Sequence, residues 1–154
     1  MIVVDLPDET ATVALAERIS SLVQLRDIIA LKGDLGTGKT AFARAFIRAL
    51  GNRDEEVPSP TFTLVQIYEL HPAAVWHFDL YRLRSGEEAW ELGIEEAFSE
   101  GISLIEWPER LGSLLPERRL ELTLAFGNRP DARQVTLDPG GGWRARLAAI
   151  TADA

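Results

Sequence analysis

The segment Gly33-Asp34-Leu35-Gly36-Thr37-Gly38-Lys39-Thr40 sets glycines, a lysine and a hydroxyl at the spacing G-x-x-x-x-G-K-[ST]. Each residue type has a task in holding a chain of phosphates. The glycines let the backbone curl so that successive N–H groups point inward and form a nest for an anion. A helix that follows adds the positive end of its dipole. Lys39 can reach the β- and γ-phosphates of a nucleoside triphosphate, and the Thr40 hydroxyl can ligate Mg²⁺. Lysine occurs only at Lys32 and Lys39, so an abundance of lysine does not explain the match.

The flanking residues predict the elements such a loop needs. Asp27-Ile28-Ile29-Ala30-Leu31-Lys32 is an apolar run of strand length that enters the loop directly. Ala41 to Leu50 reads as a helix, with Phe42, Ala45, Phe46 and Ala49 at 3–4 spacing and Gly51 as its stop. Ile2 to Leu6 reads as a strand, and Pro7-Asp8-Glu9-Thr10 opens a helix running to about Val23. Asn52 to Pro60 is a polar loop. Thr61 to Leu70 and Ala73 to Phe78 read as strands joined through a turn at His71-Pro72. Ser85 to Phe98 is helical with a break near Gly93, and Gly101 to Trp107 is a further strand. Leu120 to Phe126 and Gln134 to Leu137 are late strands around the turn Asn128-Arg129-Pro130-Asp131, and Gly140-Gly141-Gly142 precedes a short terminal segment from Trp143 to Ile150. Two strands joined by a short turn pair antiparallel. The expected fold is therefore α/β, a P-loop NTPase-like three-layer fold with a central mixed β-sheet, in one domain over residues 1–154.

Binding phosphates is not hydrolysis, which also needs a metal shell and a means of placing water. Two carboxylates stand at the ends of apolar strands, where α/β sheets form ligand crevices: Asp79 after Val75-Trp76-His77-Phe78, and Glu106 after Ile102-Ser103-Leu104-Ile105. Asp79 is placed as a Walker B aspartate, holding Mg²⁺ directly or through water. Glu106 can ligate the metal or orient the attacking water. Ser59 and Thr61, a hydroxyl pair stiffened by Pro60, can sense the γ-phosphate and metal as switch loops do. His77 reads as a packed strand histidine rather than a base. Strand alternation points Trp107 to the face opposite Glu106, toward core or a partner surface rather than as a platform for adenine. Trp76, Trp90 and Trp143 read as core or interface. Neither lysine has the N-K-x-D or T-K-x-D context of guanine recognition, so ATP is favoured over GTP.

Composition narrows the class further. The chain has 154 residues, 46% hydrophobic, no cysteine and a formal charge of −8. The charge argues against independent binding of a nucleic-acid backbone. Arg118-Arg119 and the Arg129/Arg133 region are candidates for a local basic patch, with surface ion pairing the favoured reading for each. Asp5, Asp8 and Glu9 interrupt the N-terminus, so it does not read as a signal peptide, and no apolar run approaches the ~20 residues of a membrane span. Lack of cysteine rules out disulfides and thiolate metal sites and fits a cytoplasmic protein.

Five blocks together resemble the TsaE family, the small ATPases of bacterial tRNA threonylcarbamoyladenosine biosynthesis. They are the Gly33–Thr40 loop, Pro58-Ser59-Pro60-Thr61-Phe62-Thr63-Leu64-Val65, His77-Phe78-Asp79-Leu80-Tyr81-Arg82-Leu83, Glu91-Leu92-Gly93-Ile94, and Ile105-Glu106-Trp107-Pro108-Glu109. The resemblance runs to about Pro116. It implies Mg²⁺ and ATP as cofactors, with Thr40 and Glu106 at the metal and Asp79 in the catalytic shell. Joined to the Walker B reading of Asp79, this makes Thr40, Asp79 and Glu106 the expected metal set and Asp79, Glu106 and Lys39 the expected catalytic set. The resemblance implies a nucleotide site comprising Glu9, Thr10, Gly33, Asp34, Leu35, Gly36, Thr37, Gly38, Lys39, Thr40, Ser59, Thr61 and Trp107. A C-terminal arginine joins them, with Arg129 as first choice and Arg133 as second. Thr37 stands where alanine is common. It further implies TsaB and TsaD as partners and tRNA contact only through that complex. Two other classes are compatible with a phosphate loop: a binding module gated by nucleotide occupancy, and a small-molecule kinase. The short chain and the lack of an evident acceptor domain weigh against the kinase.

Overall fold

A computed structural model of the chain describes residues 1–52, 56–60 and 63–152, with side chains described to residue 148. Thr61, Phe62 and Arg53 lie outside the described residues. The elements in order are β1 (Ile2–Leu6), α1 (Glu9–Ser20), β2 (Ile28–Lys32), α2 (Lys39–Leu50), β3 (Val65–Tyr68), β4 (Val75–Asp79), α3 (Gly86–Glu91), α4 (Ile94–Glu100), β5 (Ile102–Glu106), a 3₁₀ segment (Pro108–Leu114), β6 (Leu120–Phe126), β7 (Arg133–Pro139) and α5 (Trp143–Ala152).

The strands form one mixed seven-stranded sheet in the order β1-β7-β6-β2-β5-β4-β3. β2 lies parallel between β5 and β6, and β5 is also parallel to β4. Both edges are antiparallel, β1 and β6 against β7 at one side and β3 against β4 at the other. Burial follows this topology. Every residue of β4 and β5 is buried, as is β2 from Ile28 to Leu31, because parallel strands are covered by helices on both faces. β6 and β7 alternate buried and more exposed positions, as half-covered antiparallel strands do.

Two apolar clusters make the outer layers. On one face, Leu15, Ala16 and Ile19 of α1 and Phe42, Ala43 and Phe46 of α2 pack with Ile29, Leu31, Leu122 and Trp143. On the other, Ala89 of α3, Ile94 and Ala97 of α4 and Leu111 pack with Ile28, Phe78 and Ile105. Trp76 and Trp143 are core, whereas Trp90 is 51% exposed.

Differences from the sequence expectation have local causes. Helix α1 ends at Ser20, not near Val23. Its last turns are closed by the hydroxyls of Ser20 and Ser21, which donate to the carbonyls of Glu17 and Arg18 at 2.7 and 2.6 Å, a side-chain competition with the helix that favours termination. β3 begins only at Val65, because Leu64 before it has φ of 67°, incompatible with extended backbone, and it ends at Tyr68 rather than Leu70. Helix α2 starts earlier, at Lys39.

The parallel arrangement positions the chemistry. β2, β4 and β5 run the same way, so Gly33, Asp79 and Glu106 emerge together at one edge of the sheet.

Candidate nucleotide site

The loop after β2 is held open to a ligand by its backbone. Gly33, Gly36 and Gly38 have φ of 141°, 82° and 106°, a region in which only glycine sits without strain. At Gly33 a side chain also has no room: its Cβ would stand 2.5 Å from the Leu124 carbonyl oxygen and 2.7 Å from the Thr37 hydroxyl. Gly38 caps α2 without a side-chain hydrogen bond, which leaves the first N–H groups of a three-turn helix facing the loop. Thr37 is 1% exposed, and its hydroxyl donates to the Asp34 carbonyl at 2.8 Å, bracing the loop from within.

Lys39 folds back over this cradle. Its ammonium donates to the Gly33 carbonyl and, at 3.4 Å, to that of Asp34, and it lies 3.6 Å from the centroid of the Trp107 ring, a cation–π contact. Trp107 is thus not on the face opposite Glu106, as alternation predicted. The strand ends at Glu106, and Trp107 itself has φ 59° and ψ 50°, so its backbone turns the ring back over the phosphate loop. Tyr81 packs against it, with ring centroids 5.0 Å apart.

The two strand-end carboxylates are brought together by register. β4 and β5 pair Asp79 directly with Glu106. The Thr40 hydroxyl donates to Glu106 Oε1 at 2.8 Å. The other oxygen, Oε2, is 2.7 Å from Nε2 of His77. Asp79 Oδ1 accepts from the backbone N–H of Tyr81 at 3.1 Å. The site is buried where charge sits: Lys39, Asp79 and Glu106 are 5%, 6% and 2% exposed.

Burial pushes the Lys39 ammonium below its usual range, opposed by the nearby carboxylates of Glu106, Glu109, Asp79 and Asp34 in falling order. Desolvation therefore outweighs attraction at Lys39. The folded protein releases the Lys39 proton at lower pH than the unfolded chain does, so this lysine favours folding above its unfolded pKa, and that contribution is lost as pH falls through the lowered folded value. We expect wild type to gain stability relative to Lys39→Met as pH rises through that alkaline window, measured by urea unfolding at neutral pH and at about pH 10. A difference that is flat or reversed across the window would contradict the assignment.

The remaining candidates fall into two groups around the loop. Leu35, Gly36, Lys39, Thr40, Asp79, Glu106 and Trp107 line a cavity of about 400 Å³ together with Arg82. Glu9 and Thr10 line a second cavity of about 510 Å³ against Thr37 and Gly38, closed by Asp131 and Arg133. Arg133 reaches the loop, donating to the Gly36 carbonyl at 3.3 Å and stacking on Phe126 at 4.9 Å. Arg129 is exposed in the β6–β7 turn and does not line either of these two cavities. Ser59 is exposed in the segment before β3 and lines neither cavity, and Asp34 contributes its backbone carbonyl to the Lys39 ammonium. Thr61 lies outside the described residues. Residues not singled out as ligands are Tyr81, which flanks Trp107, and His77, which the sequence reading left as packing. The signal for His77 is the two-residue period of β4, which puts it on the same face as Asp79.

A hydroxyl and two carboxylates are hard oxygen donors of the kind that suit Mg²⁺. That ion keeps waters and phosphate oxygens in its shell and needs no all-protein cage. Among the described residues no group of three or more His, Asp or Glu side chains could hold a metal alone. Nor, among the described residues, is any helix long and apolar enough to cross a membrane.

Sheet order, loop and strand-end carboxylates define the class, an α/β protein of the P-loop type. The family model for "Threonylcarbamoyl adenosine biosynthesis protein TsaE" matches residues 6–135. The tRNA threonylcarbamoyladenosine biosynthesis protein TsaE of Rickettsia bellii is 41% identical over 119 residues, 77% of this chain and 83% of that one. The protein of the same name from Bacillus subtilis is 34% identical over 136 residues, 88% and 82% of the two chains. Among solved structures, that of Bacillus subtilis YdiB superposes with a TM-score of 0.78 at 25% identity, covering 99% of this chain and 94% of the other. The chain belongs to the TsaE family of tRNA threonylcarbamoyladenosine biosynthesis.

Proposed function

We propose that this protein is a Mg²⁺-dependent ATPase that supports TsaB and TsaD in forming N6-threonylcarbamoyladenosine at position 37 of tRNAs reading ANN codons. The observation that carries this reading is the 2.8 Å contact between the Thr40 hydroxyl and Glu106. It joins the end of the phosphate loop to a strand-end carboxylate, with Asp79 in register beside it. In this reading the loop N–H groups and Lys39 bind the β- and γ-phosphates, and Thr40, Asp79 and Glu106 hold the metal. Mg²⁺ supplies charge neutralisation of the phosphates and of the developing leaving group. Glu9, Thr10 and Arg133 border the nucleoside side of the loop. Lacking the guanine signature, the site takes ATP. A chain of charge −8 meets tRNA through its partners, and works with them in the cytoplasm. Hydrolysis drives or resets the assembly, whereas transfer to adenosine is the work of TsaD.

Asp79→Ala and Glu106→Ala are each expected to lower Mg²⁺-dependent ATP turnover on the order of 10²-fold or more, several kcal/mol of barrier. Nucleotide affinity in EDTA should stay close to wild type, because backbone N–H groups supply that binding. Steady-state turnover and calorimetric titration check the two halves. A crystal structure with Mg²⁺–nucleotide in which both carboxylates are remote from the metal and its waters would refute the assignment.

A further inference from the structure

The His77 side chain is fully buried, and among the described residues its only polar contact is the one to Glu106, with Nδ1 left without a partner. Burying an imidazole with an unpaired nitrogen is unfavourable where an aliphatic side chain would pack as well. The contact it does make must then be what the residue is for. Its geometry follows from the sheet. His77 and Asp79 share a face of β4, as Leu104 and Glu106 share one of β5, and His77 pairs with Leu104 in register. Nε2 thus reaches diagonally to Glu106 from below while Thr40 meets it from above. Because the acceptor is a carboxylate, the proton of this hydrogen bond belongs to Nε2.

We propose that His77 is a positioning residue that commits Glu106 Oε2 and leaves only Oε1 for the metal side, so that Glu106 acts as a one-oxygen ligand and the site selects Mg²⁺ over Ca²⁺. The inference rests on the metal role proposed above for Glu106. Mg²⁺ takes one oxygen from each carboxylate in a tight octahedron, whereas Ca²⁺ accepts both oxygens of one carboxylate in a looser shell. A hydrogen-bond partner behind a ligating carboxylate fixes its orientation, and loss of such a partner typically weakens metal binding about 10–100-fold.

The test uses the full chain, a non-hydrolysable ATP analogue and calorimetry in Mg²⁺, in Ca²⁺ and in EDTA. Three variants separate hydrogen bonding from packing: His77→Gln, whose amide N–H can stand in for Nε2; His77→Asn, whose amide is too short to reach; and His77→Leu. Wild type is expected to bind the analogue more tightly in Mg²⁺ than in Ca²⁺ or EDTA. His77→Leu and His77→Asn should lose that Mg²⁺ enhancement by roughly tenfold or more, with EDTA affinity unchanged and the Mg²⁺ to Ca²⁺ ratio reduced. His77→Gln should keep the enhancement within about threefold of wild type. If the leucine variant does not fold, the glutamine and asparagine pair decides. The proposal is overturned if His77→Asn keeps the wild-type metal ratio, or if His77→Gln falls as far as His77→Asn. Wild-type binding that is indifferent to Mg²⁺ would instead overturn the metal role of Glu106, and this inference with it.

Discussion

Lys39→Ala is expected to lower kcat for ATP hydrolysis by about 10²–10³-fold, roughly 3–4 kcal/mol. The ammonium is turned onto the carbonyls of Gly33 and Asp34 and covered by Trp107. These are weak partners for a cation, and burial penalises the charge. A triphosphate offers the same ammonium full negative charge in a site already depleted of water. The interaction strengthens further as charge spreads over the transferring phosphoryl group, so the larger loss falls on the transition state. Single-turnover and steady-state hydrolysis by a variant of native circular dichroism provide the check. Near wild-type turnover would remove the lysine from the mechanism.

The second large effect is activation by partners. Addition of TsaB and TsaD is expected to raise ATP turnover on the order of 10³-fold, in the range seen when a P-loop enzyme receives a missing catalytic group. The rim of the phosphate site explains why turnover alone should be slow. Leu35, Tyr81 and Phe126 are 64%, 42% and 57% exposed around the loop, so the mouth of the site is open to water although the charges beneath it are buried, and charge contacts made at the rim are weakened. Arg133 stands on the Gly36 side and Arg82 at the mouth beside Tyr81. A docked partner can cover the rim, exclude water and complete the charge clamp. Turnover of the isolated chain, measured before and after adding the partners, tests this. Fast turnover alone, unchanged by them, would contradict it.

Much of this site could be read from residue order, for a physical reason. A phosphate loop is a backbone device, and its glycines and lysine are fixed by conformation and reach, so Gly33–Thr40 is legible without a structure. Asp79 and Glu106 are legible because parallel strands must end at a common edge. What escaped depends on contacts between segments distant in sequence. His77 looks like any strand histidine until register puts it behind Glu106. Trp107 obeys alternation only if the strand continues, and a left-handed φ at that residue reverses its side. The choice between Arg129 and Arg133 depends on where the β6–β7 turn lies, and the turn leaves Arg133 at the start of β7, facing Gly36. The mixed sheet and its seven strands followed from apolar runs and turns, whereas the ends of α1 and β3 were set by serine hydroxyls and by Leu64.

The central claim is that ATP hydrolysis here sustains the tRNA modification rather than merely marking an occupied state. It is tested most directly by following multiple-turnover formation of N6-threonylcarbamoyladenosine on an ANN-decoding tRNA by TsaB and TsaD with this chain. ATP is compared with its non-hydrolysable analogue, and wild type with Glu106→Ala. Sustained product formation is expected only with wild type and ATP, with arrest after about one round with the analogue or the variant. Equal, sustained product formation with the analogue would contradict it and make the protein a nucleotide-gated docking module.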